Sequence, residues 1–396
     1  MLETNSLKYD VIVIGGGAAG LMCAIEAGKR GRSTLVIERS EKIGKKILIS
    51  GGGRCNFTNH NAAPHTYQCQ NPHFHKSALS RYTQEDFLRL VEKHGIEYYE
   101  KKLGQQFCKE NAMQIVNLLQ AECDEAGVEI RRNCNIEKVF KNEDFKLVTA
   151  DIEFHADSLV IASGGLSIPK MGATGFGYQV AKKFGMDVTD RQAALVPFVF
   201  EESYLKNFEG LSGISMDTTV KCRGTTFREN ILVTHLGVSG PAILQISSYW
   251  QPGDIVTIDL LPSLELKEII EQQIDRNSLQ EIKTVISEYL PKRFVDRVFE
   301  LWLKNKPLKQ LPPKEIDAIC TFFHQWEIAP DDTEGYRTAE VTLGGVNTDG
   351  VSSKTFESKN QPGLYFIGEV LDVTGWLGGY NLQWAWSSGF CAGQYV

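Results

Sequence analysis

Three glycine-rich stretches hold the residues whose types and spacing could do chemistry. Gly15, Gly17 and Gly20 form G-x-G-x-x-G in "VIVIGGGAAGL", directly after an apolar run and at the opening of a helical pattern. At this spacing the first glycine permits a tight turn and the second lets a pyrophosphate approach the backbone. The third allows close helix–strand packing. Gly16, Ala18 and Ala19 complete the loop and helix start, whose free N–H groups and partial positive charge suit phosphates. The next apolar run ends in Glu38, followed by Arg39. A carboxylate there can accept hydrogen bonds from adenosine ribose hydroxyls and would repel a 2′-phosphate, which disfavours NADP at this position. The bland alternative for Glu38 is a solvated strand end.

The second stretch, "GKKILISGGGRCNFTN", contains no acidic residue. Lys45, Lys46 and Arg54 are suited to neutralise phosphates. Gly51, Gly52 and Gly53 would let backbone N–H groups face a ligand. Cys55 has no partner cysteine nearby in sequence and reads as a packed thiol.

The third stretch decides which dinucleotide is expected. "GLYFIGEVLDVTGWLGGYNLQWAWSSG" gives a buried strand ending at Gly368-Glu369, a glycine turn at Gly378-Gly379, then Tyr380 and a helix from about Asn381. A helix N-terminus of this kind suits the electron-rich side of a flavin, because its dipole stabilises negative charge on the reduced ring. Closure of the fold, with glycines for packing, is the structural alternative. A fourth element, "LVIASGG", ends in Ser163-Gly164-Gly165, where flavoproteins often carry A-T-G beside FAD. Asn56 and Asn59 are then placed to reach flavin edges. FAD is the expected cofactor, with NADH or NADPH as a transient electron donor, because no second nicotinamide-binding unit is visible.

These residues need a frame. Tyr9 to Ile14 predicts a strand, Ala18 to Arg30 a helix and "STLVIE" a second strand. Thr83 to His94 predicts a helix with a capping box at Thr83 and Asp86, and Glu110 to Ala126 another. The reading is an α/β fold: a Rossmann-like FAD-binding domain built from both chain ends, 1–192 and 336–396. Between them lie a β-rich part, 193–262, and a helical part, 263–335. This insertion is expected to roof the flavin, since pockets favour domain interfaces.

Composition narrows the class. The net charge is −7, which argues against nucleic acid as the main partner and for a small-molecule substrate. The apolar runs are too broken for a membrane helix, and the start "MLETNSLKYD" carries no positively charged leader, so a cytoplasmic protein is expected. Nine scattered cysteines without C-x-x-C indicate neither disulfides nor zinc, and no metal is expected. His73 and His75 in "NPHFH" lack a third ligand and read as a surface loop. Ser239 in V-S-G-P reads as a structural turn, and no catalytic residue is marked by spacing.

The stretches quoted above, with "ASGGLSIPKMGATGFGY", "THLGVSGPAILQIS" and "AEVTLGGVNT", occur in an order that resembles the BaiN-like, or aminoacetone oxidase, family of bacterial flavoproteins. The resemblance spans the chain. It implies a discontinuous FAD-binding domain with an inserted β-barrel-like and helical region, and FAD-dependent oxidoreductase activity. At "KLGQQFC" the sequence departs from the family's frequent G-R-x-F-P, with Gln106 and Cys108 in place of arginine and proline. The expected activity is hydride movement between a small organic substrate and bound flavin. A non-catalytic flavin-binding regulator is the alternative; an RNA-modifying flavoenzyme is disfavoured by the acidic net charge and the lack of a basic, aromatic-interleaved stripe.

Overall fold

The computed structural model describes residues 5–396. The chain divides into two compact units, one formed by 1–192 with 341–396 and the other by 193–340.

In the first unit, the strand Asn5–Ile14 lies parallel to Thr34–Ile37 on one side and to Ile152–Ile161 on the other. Val11, Ile12 and Val13 are fully buried, as expected for a parallel sheet covered on both faces. Glu129–Arg131 extends the sheet beyond Thr34–Ile37. The ten-residue strand Ile152–Ile161 is shared along its length. Its first half pairs antiparallel with Phe145–Val148, and its second half pairs parallel with the C-terminal strand Leu364–Phe366. Both chain ends therefore enter one sheet. The carboxyl ends of its central strands lead into Gly15, Glu38, Ser163 and Gly368, the edge where ligands bind open α/β sheets.

The helix Ala18–Lys29 packs closely against the C-terminal helix Tyr380–Gly393. A Cβ at Gly389 would strike the Ala19 carbonyl oxygen, and one at Gly393 would lie 2.8 Å from the Cys23 oxygen. Arg30 fastens the chain end by donating to the Gly393 and Val396 oxygens at 2.9 and 2.8 Å. The predicted capping box forms, with Thr83 and Asp86 bonded reciprocally at the start of Gln84–Lys93.

Glu122, on the helix Met113–Glu125, is fully buried yet charged. It meets Lys93 at 2.6 Å, His94 at 2.8 Å and Lys29 at 3.0 Å. Burial alone would raise its carboxyl; the bonds from Lys93, His94 and Lys29 outweigh that and hold it at about 2. An unfolded glutamate titrates near ~4.3, so this stabilisation is complete above that value and is lost as pH falls through the folded value. Glu122→Gln is expected to cost about 2 kcal/mol at neutral pH, less than a fully buried pair because both lysines keep solvent contact. Urea unfolding should show the gap to the wild type closing as pH falls through that window.

In the second unit, seven antiparallel strands form one sheet, with Trp326–Ile328 and Asp332–Thr333 at its edges. Both edge strands come from the stretch read as helical. The rest of that stretch forms Leu266–Asp275, Ile282–Ile286, Lys292–Leu301 and Pro313–His324. The long hairpin Ser215–Cys222/Thr225–Val233 turns at Arg223-Gly224, both with positive φ, which matches the twist of the strands. Ser239 ends a short strand before the helix Pro241–Ser247, the structural turn expected of it.

Candidate active site

Three helix N-termini flank this strand edge: Ala18–Lys29, Lys45–Gly53 and Tyr380–Gly393. None has a side-chain cap hydrogen bond or an acidic residue in its first turn. Their leading N–H groups are the donor set an anionic ligand needs. Gly15 holds φ +116, and a Cβ there would collide with the Ala162 carbonyl oxygen. Gly17 differs: its φ is −91, and no protein atom lies within 4 Å of an added Cβ. Protein packing gives no reason for glycine at this position, whereas a ligand against the backbone does. Gly20 packs on the Gly15 oxygen, Ala19 is buried and Ala18 is half-buried. The Glu38 carboxylate accepts from Gly16 N–H at 2.9 Å and Ser40 N–H at 2.7 Å, each oxygen retaining a further acceptor position. Arg39 beside it is exposed.

The segment Lys45–Gly53 is broken. Its helix ends before Ser50, and Gly51, Gly52 and Gly53 all take left-handed φ. Gly52 and Gly53 have open space where a Cβ would stand. Lys45 reaches Ser40 Oγ at 3.4 Å. Lys46 does not stand free for a phosphate: it donates to Glu369 Oε2 at 2.8 Å and Ser167 Oγ at 2.6 Å. Ser167 Oγ and Thr342 N–H both donate to Glu369 Oε1 at 3.1 Å. Gly164 and Gly165 lie against this carboxylate, and a Cβ at Gly165 would stand 2.6 Å from Glu369 Oε1. Ser163 Oγ is buried without a protein partner, an orphan atom that a bound ligand would satisfy. Ser167 and Thr342 lie in two of the stretches that carry the family resemblance, but residue type and spacing alone single out neither.

The second stretch is stitched to the third. Asn59 is buried, donates to the Gly378 oxygen at 2.8 Å and the Leu103 oxygen at 3.2 Å, and accepts from Asn61 N–H. It shapes the turn. The Asn56 amide packs beside Gly379; turned so that its nitrogen faces the Thr58 and Gln106 oxygens, it donates to both, at 3.2 and 3.3 Å. Thr58 donates to Gln383 Oε1 at 2.6 Å, and Trp386 Nε1 donates to the Phe57 oxygen at 2.8 Å. Asn381 closes its own turn, with its amide bonded to Gly375 N–H, the Gly375 oxygen and the Trp376 oxygen. The Tyr380 oxygen accepts from Tyr67 Oη at 2.9 Å. Gly368 has φ +71, with its N–H donating to Ser388 Oγ at 3.0 Å. Arg54 is exposed and donates to Tyr99 Oη at 3.2 Å.

Cys55 is fully buried, and burial pushes its thiol well up despite the opposing bond with Ser50, so it stays a neutral packed group. All nine cysteines are free. His75 is buried rather than on a surface loop, and its Nε2 contacts the Pro64 oxygen at 2.9 Å. Among the described residues no cluster of His, Cys, Asp or Glu is placed to hold a metal, and no helix is long and apolar enough to cross a membrane.

The family model of the HI0933-like protein Rossmann domain matches residues 9–395. The chain is 49% identical over 390 residues to the ribosomal RNA dihydrouridine synthase of Escherichia coli, covering 98% of each. It is 29% identical to the 3-dehydro-bile acid delta(4,6)-reductase of Clostridium scindens, covering 96% of this chain and 97% of that one. The fold matches the solved 3-ketosteroid-delta4-(5alpha)-dehydrogenase of Rhodococcus jostii with a TM-score of 0.50 at 14% identity, over 99% of this chain and 98% of that one. With a family match across nearly its whole length, the chain belongs to the HI0933-like family of FAD-binding Rossmann flavoproteins, and it is an FAD-dependent oxidoreductase.

Proposed function

We propose that this enzyme reduces the C5=C6 double bond of a uridine in ribosomal RNA, with NADH or NADPH as the electron source. The observation that carries the reading is the near-half identity, end to end, to a protein named for that reaction. The reading departs from the small-molecule substrate suggested by net charge. The balance is one hydride and one proton added across C5=C6 for each nicotinamide oxidised.

Bound FAD, once reduced, supplies the hydride. The chain's own residues do the holding. Gly15 to Gly20 and the following helix N-terminus cradle the pyrophosphate, with Lys45 adding positive charge. Glu38 takes the ribose. Ser163, Gly164 and Gly165 line the cofactor beside the Lys46–Glu369 pair. The turn at Gly378 and Gly379, braced by Asn56, Asn59 and Asn381, presents the N-terminus of the last helix to the flavin.

A second reading, reduction of a conjugated ketone, is favoured by the bile acid reductase relative. The two belong to one reaction class, since the uracil C5=C6 bond is itself conjugated to a carbonyl. Mass spectrometry of nucleosides from ribosomal RNA distinguishes them. Cells lacking this chain are expected to lose one dihydrouridine and to regain it on complementation. Unchanged dihydrouridine would overturn the RNA reading.

A further inference from the structure

We propose that the exposed hairpin edge around Arg54, Tyr99 and Lys101 is the surface on which a single-stranded RNA segment lies. This rests on the RNA reading above and adds where the strand is held. Tyr99 stacks on Phe107, with centroids 5.9 Å apart and planes at 24°. Lys101 Nζ stands 5.5 Å from the centroid of the same ring. Arg54 donates to the Tyr99 hydroxyl from one side. The left-handed glycine loop backs onto Phe107 too, since a Cβ on Gly51 would lie 2.6 Å from its ring edge. Two exposed cations thus flank the half-buried Tyr99 ring, which rests on the buried Phe107 ring beneath it.

Large apolar side chains with solvent exposure gather around it. Ile49 is 43% exposed, Leu103 57% and Met113 45%. Ile49 leads into the glycine loop and Leu103 sits in the hairpin turn. Met113 follows Ala112, whose N–H donates to the Gly53 oxygen at 2.8 Å. Cations beside apolar and aromatic surface are what a single strand requires, the first for phosphates and the second for unstacked bases.

Of the nearby carboxylates, Glu97 and Glu100 are engaged and Glu110 is exposed. Glu97 pairs with Lys109 at 3.0 Å, and Glu100 Oε1 accepts from Gly104 N–H at 3.0 Å. The segment from Ile43 to Gln84 contains no Asp or Glu at all, and the net negative charge of the chain lies in the 193–340 unit. The platform also borders the candidate active site. The strand Asn56–Asn59 pairs with Gln105–Cys108 of this hairpin, and its Asn59 holds the Gly378 turn.

The test uses the full-length, FAD-loaded protein and a fluorescein-labelled uridine-rich single-stranded RNA, read by anisotropy across a sodium chloride series. Wild-type affinity is expected to fall linearly in log–log form with salt. Lys101→Glu and Arg54→Ala should each weaken binding roughly threefold to tenfold and reduce the salt slope by about 0.7. Tyr99→Ala should weaken it roughly fivefold or more with the slope unchanged. Lys101→Glu and Tyr99→Ala should keep the wild-type flavin absorbance, and Lys267→Ala in the other unit should bind as wild type. Wild-type affinity and slope in Lys101→Glu and Tyr99→Ala would overturn the surface. If those variants bind normally while the protein still forms dihydrouridine, only the surface falls. A wild-type protein that binds no RNA and forms no dihydrouridine removes the RNA reading as well.

Discussion

Gly15→Ala is expected to yield a poorly folded, colourless protein. The position combines φ +116 with a Cβ path straight into the Ala162 carbonyl oxygen, just past the end of the neighbouring strand of the central sheet. Left-handed strain alone costs about 1–3 kcal/mol, and the backbone collision adds to it. Nothing flexible can yield, because Ala162 N–H is itself tied to the Ile14 oxygen at 2.9 Å and Gly15 N–H to the Ile37 oxygen at 2.9 Å. Flavin absorbance per protein and thermal unfolding should fall together. Gly17→Ala makes the complementary case. Its ordinary φ and open Cβ direction predict an unchanged melting temperature with flavin affinity lowered roughly tenfold or more, about 1.4 kcal/mol per decade. Full flavin content in Gly17→Ala would mean that no pyrophosphate lies against that backbone.

Lys46→Met is expected to be the most damaging change at the site that leaves every glycine in place. It strands the Glu369 carboxylate, which is only 19% exposed, among Ser167, Thr342 and the Gly165 backbone. Breaking a buried pair from one side costs about 3–5 kcal/mol; Lys46 is 34% exposed, so about 2 kcal/mol is the expected loss. The sign of the effect can be isolated. Lys46→Met combined with Glu369→Gln removes the uncompensated charge and should recover most of the stability, a coupling that a double-mutant cycle measures. Additive losses would show that the two side chains act independently. Flavin retention should follow the same order, since this pair adjoins Gly164 and Gly165.

What could be read from sequence was local. G-x-G-x-x-G after a buried strand, the capping box at Thr83 and Asp86, and the final helix each declare themselves within a few residues, because backbone geometry sets their composition. The joining of both chain ends into one sheet was legible because Leu364–Phe366 is an uninterrupted apolar run. Partnerships across the chain were not legible. Lys46 looked like a phosphate ligand because Glu369 lies 323 positions away. The bracing of the glycine turn by Asn59 and Asn381 was equally hidden, since both donate their amides to backbone oxygens there. The strands Trp326–Ile328 and Asp332–Thr333 were hidden in a helical region by their shortness. The basic and aromatic platform was invisible for the same reason: Arg54 and Tyr99 are 45 positions apart and become neighbours only through strand pairing.

Hydride delivery to uridine in ribosomal RNA is the reaction we propose for this flavoenzyme. Its most direct test mixes anaerobically reduced, FAD-loaded protein with ribosomal RNA from cells lacking the chain, while visible flavin absorbance is followed. The oxidised flavin spectrum is expected to return without oxygen, with dihydrouridine forming one for one with reoxidised flavin. A flavin that stays reduced with this RNA, yet reoxidises with a conjugated ketone, would contradict the account and move the substrate to small molecules.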